Sequence, residues 1–153
     1  MKEIVLSQGK VAVVDDADFE WLNQWKWYFC GQYARRSIGK NKPRIFMHRV
    51  ILNTPDGLET DHINNNKLDN RRDNLRICTH YENVRNSPVR CSNTSGYKGV
   101  SKSGNKWMAT IEVFGKPLYL GTFNTAEEAA RAYDDGAKKH FGEFANTNFT
   151  EAK

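Results

Sequence analysis

Asp61 and His62 stand side by side, and residues 74–83 return two carboxamides, Asn74 and Asn83, at fixed distances from them. A carboxylate and an amide oxygen suit a hard divalent cation, and a neutral imidazole can take a proton from water. Lys67, Arg71, Arg72, Arg76 and Arg85 flank these groups. Acid, imidazole, amide and surrounding cations together point to cleavage of a phosphate ester in a nucleic acid. The Asp-His pair by itself is unspecific, and Asn-rich loops are commonly turns.

The surrounding residues must supply elements that aim these groups. Thr54-Pro55-Asp56-Gly57 signals a turn. Residues 58–63 then read as a strand, 64–73 as a polar connection, and 75–78 as a second strand. Thr79 can cap a helix, with Glu82 at the reciprocal position of a capping box. The order strand, loop, strand, helix would hold Asp61 and Asn83 on rigid elements facing each other.

The chain of 153 residues has room for one domain or two small ones. Its apolar content of 39% and charged content of 27% predict a soluble, globular protein, and the strands and helices read along the chain make the expected fold class α+β. The net charge of +5 is unevenly spread: 31–44 hold five bases and no acid, 85–120 carry a net +5, and 121–153 a net −2. Such segregation favours a polyanion on one face. Cys30, Cys78 and Cys91 are too scattered for a zinc ribbon or a disulfide framework, which implies a reducing compartment. No apolar run approaches the ~18 residues of a membrane span, and residues 2–6 do not read as a signal peptide. The expected setting is the cytoplasm.

Residues 1–47 form an N-terminal β-rich region. Residues 4–6 and 11–14 read as strands around a turn, and Asp16 or Asp18 is expected to cap a short helix through Phe19, Trp21, Leu22 and Trp25. Trp25, Trp27, Tyr28, Phe29 and Tyr33 read as strands building a small core of large rings; the competing reading is a base-stacking surface. The basic run 35–44 looks like a hairpin tip. His48, which opens a short helix, is more often a packed or capping histidine than a ligand. Residues 88–95 have linker composition; the stretch 87–95 would reach on the order of 30 Å when extended at ~3.3–3.6 Å per residue, near the ~34 Å turn of B-DNA.

From Gly96 the pattern becomes three strands and a helix: 97–101, 106–113, 118–123, then a helix opened by the capping box Thr125 and Glu128 and stopped at Gly142. Alanines at helical spacing let this helix lie close on the sheet. The opposite sheet face would show some alternating subset of Lys98, Ser101, Lys102, Lys106, Thr110, Glu112, Lys116 and Tyr119. Such a face can sit on a major groove or simply meet solvent.

On these residues two resemblances rest. Asp61-His62, residues 64–70, Asn74-Leu75-Arg76 and Asn83 resemble the HNH endonuclease ββα-metal module of phage and intron-encoded homing enzymes, spanning 48–87. The resemblance implies that His62 is the general base, that Asp61 and Asn83 hold a divalent metal (Mg²⁺, with Mn²⁺ as an alternative), and that Asn74 steadies the loop carrying the imidazole. His80 is a competing ligand candidate, expected on a different helix face and ranked below Asn83. Residues 96–149 resemble the plant ethylene-response-factor (APETALA2-type) DNA-binding domain. The carrying stretches are Tyr97-Lys98-Gly99-Val100, residues 106–111, residues 120–134 and Asn146-Thr147-Asn148-Phe149. That resemblance implies groove contacts at Lys98, Ser101, Lys106, Glu112 and Tyr119. With several of the family's arginines absent, its usual target sequence does not carry over.

The resulting expectation is a site-specific DNA endonuclease that nicks or hydrolyses duplex DNA. Arg71, Arg76, Lys98, Ser101, Lys102, Lys106, Lys116 and Tyr119 are the expected DNA contacts. It would act as a monomer or weak dimer, without a small-molecule cofactor and without a membrane. The alternative is a non-catalytic DNA-binding regulator carrying a degenerate nuclease module.

Overall fold

The computed structural model describes residues 1–39, 43–86 and 93–149. Two units divide the chain, Met1–Asn83 and Val84–Lys153. Lys40, Lys42 and most of the linker-like stretch 88–95 lie outside the described residues. Small antiparallel sheets and short helices make the architecture α+β.

In the first unit β1 (Lys2–Val5) and β2 (Val11–Val14) form a hairpin. Alternation puts Ile4, Ala12 and Val14 inside and leaves Val5 and Val11 outside. Helix α1 (Asp16–Leu22) follows, with Asp15 at its N-cap rather than Asp16 or Asp18. Asp15 uses its carboxylate on Arg72 N at 2.8 Å, and buried Asp18 receives the Arg72 guanidinium at 2.7 Å from both Nε and Nη2. These acids therefore tie the helix to a loop about fifty residues away, a task that local capping rules do not reveal. Trp25 falls beyond the helix.

Next come β3 (Tyr28–Cys30), β4 (Tyr33–Ser37) and β5 (Arg44–Phe46), paired in that order. The basic run 35–44 thus begins at the end of β4 and finishes at the start of β5, with Ser37 paired to Arg44; residues 40–42 lie outside the described residues. One face of this sheet, with Phe29, Ala34 and Ile45, joins the core of Ile4, Leu22, Trp27, Met47 and Leu75. The aromatic cluster is divided: Trp27 is buried, while Trp25 and Tyr28 stay about half exposed, with Arg36 stacked over Trp25 at 4.1 Å. Helix α2 (Met47–Leu52) buries Met47, His48 and Ile51. Its Arg49 reaches across to the Thr54, Pro55 and Leu58 carbonyls and so fixes the turn before β6 (Glu59–His62). The antiparallel partner of β6 is β7 (Leu75–Cys78), followed by α3 (His80–Arg85). The expected box closes this last helix: Thr79 N donates to Glu82 Oε2 at 2.7 Å, and Glu82 N to Thr79 Oγ1 at 3.4 Å.

The second unit contains β8 (Val100–Ser103), β9 (Lys106–Val113) and β10 (Lys116–Phe123), with β9 central, and α4 (Ala126–Phe141) packed on one side. Ala129, Ala130 and Ala137 are fully buried, so the helix backbone approaches the strands closely. Thr125 and Glu128 form the expected capping box, and Gly142 ends the helix at φ 52°. Gly99 (φ 72°) must stay glycine, because a Cβ there would collide with the Tyr133 ring. Asn148 and Asp134 lock the C-terminal segment: Asn148 bonds both the N–H and the carbonyl of Lys98, and Asp134 accepts from Asn148 and Phe149.

Candidate active site

Strand β6 carries Glu59, Thr60, Asp61 and His62, so alternation sets Glu59 and Asp61 on one face. Asp61 is 1% exposed. Its Oδ2 accepts from Arg76 Nε at 3.0 Å and Nη2 at 2.8 Å, from the residue directly opposite on β7. A carboxylate this deep needs a compensating cation, and the guanidinium supplies one.

His62 is fully buried. Its ring lies 5.0 Å from the His48 ring and 6.1 Å from that of Tyr33. Burial pushes the His62 pKa down to about 4 and that of His48 down to about 3. Both rings are therefore neutral near pH 7, the state a proton acceptor needs. Tyr33 has its pKa raised, first by burial and then by the negative charges of Asp61 and Glu59. His62 Nε2 faces Asn70 Oδ1 at 3.3 Å.

Asn74 does what a loop anchor must. Its Oδ1 accepts from Asn64 N at 3.0 Å, its Nδ2 donates to the Asp69 carbonyl at 2.7 Å, and its own carbonyl receives Ile63 N at 2.9 Å. The loop between β6 and β7 is thereby closed onto the residues following His62.

Asn83 Nδ2 donates to Glu59 Oε2 at 2.5 Å, and His80 Nδ1 donates to Glu59 Oε1 at 2.9 Å. Residues three apart on a helix are neighbours, so the expectation that His80 and Asn83 occupy different faces is corrected: both converge on one carboxylate. The hydrogen bond from Asn83, then that from His80, draws the Glu59 pKa down against the effect of burial. With its NH₂ held by Glu59, the Asn83 amide has its oxygen turned away from that carboxylate.

Glu59, Asn70, Tyr33 and His48 were not among the expected site residues. For Glu59 the strand alternation was a usable signal, since it shares a face with Asp61. The others approach only through tertiary contacts.

The expected DNA contacts divide into two groups. Arg76 is engaged with Asp61, and Arg71 makes a paired contact with Asp69 at 2.7 and 2.6 Å. Lys98 does not lie on the open sheet face: its amine donates to the Arg85 carbonyl at 2.6 Å, and burial lowers its pKa to about 8. Ser101, Lys102, Lys106, Lys116 and Tyr119 are exposed. The register sets Ser101, Met108, Thr110 and Tyr119 on the face away from α4, together with Lys106. Lys102 and Lys116 pair with Trp107 and Val113, at the edges of the helix side.

An HNH endonuclease family model matches residues 53–85, the segment from the turn before β6 through α3. "Uncharacterized HNH endonuclease L560" of Acanthamoeba polyphaga mimivirus is 32% identical over 146 residues, covering 92% of this chain and 76% of that protein. The chain belongs to the HNH endonuclease family, which makes it a nuclease by class with DNA as its partner. Protein 3.8 of Escherichia phage T7 is 37% identical over 93 residues, 60% of this chain and 76% of its own length. A different kind of relative, ethylene-responsive transcription factor WRI1 of Arabidopsis thaliana, is 52% identical over 59 residues, 36% of this chain and 14% of that protein.

Proposed function

We propose that this chain is a metal-assisted, site-specific DNA endonuclease of the homing type, with His62 as general base. The observation that carries this reading is His62 itself, neutral and enclosed, next to Asp61 on β6 and braced by the loop that Asn74 closes. Hard oxygen donors fit a divalent cation of the Mg²⁺ type, which keeps most of its waters and takes one or two protein ligands. Asp61 and Asn83 are the residues to hold it, Asp61 by its buried charge and Asn83 by the amide orientation that Glu59 imposes. When bound, such an ion offsets negative charge developing at the phosphate.

The protein's own steps are then specific. The imidazole of His62 removes a proton from the attacking water. Asn74 keeps the β6–β7 loop closed so that the ring is held in place. Cleavage leaves a 5′-phosphate and a 3′-hydroxyl. One such site cuts one strand, so a monomer nicks and a weak dimer would break both strands. The second unit serves as an ethylene-response-factor-type DNA reader, with Ser101, Lys106 and Tyr119 on its open face and Lys102 and Lys116 at its edges. Arg71, Arg76 and Lys98 act in this reading through the fold more than through direct contact. The virus and phage sources of two relatives support action inside an infected cell.

A second reading has its own observation. Arg76 and Glu59 already occupy Asp61 and Asn83, as they would in a regulator that binds DNA through a spent nuclease module. Plasmid nicking beside a gel shift separates the two. His62→Ala is expected to keep DNA affinity and abolish nicking, and a chelator is expected to stop nicking by the unmodified protein. Undiminished cutting by His62→Ala would remove His62 from the mechanism, and absence of metal-dependent nicking would favour the regulator.

A further inference from the structure

We propose that Asn70 is a positioning residue that selects the tautomer of His62, and that the N-terminal hairpin exists in part to hold Asn70 there. The inference rests on the reading of His62 as the base. It begins with an amide whose orientation is set by its neighbours. Asn70 Nδ2 lies 3.2 Å from the Leu68 carbonyl, which can only accept, so the NH₂ end must face Leu68. The other end, Oδ1, therefore faces His62 Nε2 at 3.3 Å. An amide oxygen also only accepts, so the imidazole proton resides on Nε2. A neutral ring has one N–H, which leaves the lone pair on Nδ1. Nδ1 is thus the atom that takes the proton from water.

Asn70 is fully buried, and its backbone is clamped from a distant part of the chain. Asn70 N donates to the Val13 carbonyl at 2.8 Å, and Val13 N donates to the Leu68 carbonyl at 2.9 Å. These two bonds bracket the parallel bridge between Val13 and Asp69. Strand β2 is in turn paired along its length with β1. Arg72, two residues beyond Asn70, is fastened to Asp15 and Asp18. Residues 2–18 thereby support the loop that orients the base. A general base in the wrong tautomer offers an N–H where a lone pair is required, at a cost of several orders of magnitude in rate in serine proteases.

The full-length protein with ¹⁵N-labelled histidine gives a direct test. Two-bond ¹⁵N–¹H correlation at neutral pH is expected to show His62 protonated at Nε2 and not at Nδ1. The opposite pattern in the unmodified protein overturns the proposal without any mutation. Asn70→Asp keeps an acceptor oxygen facing the ring but loses the bond to the Leu68 carbonyl; it is expected to lower stability while retaining the Nε2–H pattern and a nicking rate well above that of Asn70→Leu. Asn70→Leu removes the acceptor and is expected to lose nicking by on the order of 10²-fold or more, with a mixed tautomer signal and unchanged DNA affinity. Full nicking by Asn70→Leu overturns the proposal. Loss of nicking with an unchanged Nε2–H signal overturns it too, because the role would then be packing alone. A failure of the nuclease reading looks different: His62→Ala would still cut DNA.

Discussion

Arg76 Nη2 lies 2.8 Å from Asp61 Oδ2, directly across the β6–β7 ladder, with the acid 1% exposed and the arginine side chain 13% exposed. Removing one partner of such a pair strands a buried charge, at about 3–5 kcal/mol. Arg76→Met is therefore expected to lower stability by about that amount when divalent cations are absent. Mg²⁺ should restore part of the loss if Asp61 is a metal ligand. Denaturant melts with and without Mg²⁺ measure both effects. No recovery at saturating Mg²⁺ would argue against metal binding at Asp61.

The two enclosed imidazoles give the fold a pH dependence. Each titrates near 6.5 when unfolded, but at about 3 for His48 and about 4 for His62 when folded. Below pH ~6.5 the unfolded chain binds more protons, so stability is full above that value and declines as pH falls toward the folded pKa values. Each ring adds a slope of at most about 1.4 kcal/mol per pH unit. His48→Gln is expected to make the decline shallower by one proton's worth. An identical slope in that variant would show that His48 is not held neutral.

Glu59 organises Asn83 and His80 together. Glu59→Gln keeps an acceptor for one of them, whereas Glu59→Ala frees both. The alanine variant is expected to need several-fold more Mg²⁺ for half-maximal nicking and to bind Mn²⁺ more weakly by electron paramagnetic titration, with DNA affinity intact. An unaltered Mn²⁺ isotherm would dissociate Glu59 from the cation site.

Asn74 makes three bonds that close the loop after His62. Asn74→Ala removes the two made by its side chain. A loss of about 1–3 kcal/mol in stability is expected, together with a nicking rate lowered far more than DNA affinity. Equal losses in both activities would mean that the loop serves binding as much as orientation.

In the second unit Lys106→Ala is expected to weaken DNA binding and to flatten its salt dependence by about one unit per lost phosphate contact. Lys98→Met should instead cost stability and leave the salt slope alone, because its amine is held by the Arg85 carbonyl. Binding measured across a salt series decides both. A flattened slope for Lys98→Met would restore that residue to the interface.

Relations between residues close in sequence are legible in the sequence itself. Asp61, His62, Asn74 and Asn83 lie within one strand–loop–strand–helix unit, and the capping boxes at Thr79 and Thr125 closed as local rules require. Their geometry depends on alternation and helical period, which act over a few residues. The same period places His80 and Asn83 on one side of α3, since an interval of three keeps two helical residues together.

What lay outside the reach of the sequence depends on contacts between distant segments. Val13 against Leu68 and Asn70, Asp18 against Arg72, and His48 and Tyr33 against His62 are separated by roughly fifteen to sixty residues. No local propensity encodes such pairings; they arise when the core of Ile4, Leu22, Met47 and Leu75 draws the hairpins together. The sequence by itself determined which chemical groups are present and on which elements they ride. Tertiary structure alone decided that His62 is buried and neutral, that Asp61 already has a cation beside it, and that Lys98 is held inside its own unit. Burial and charge compensation are properties of a site's whole surroundings, and those surroundings come into being only when the chain folds.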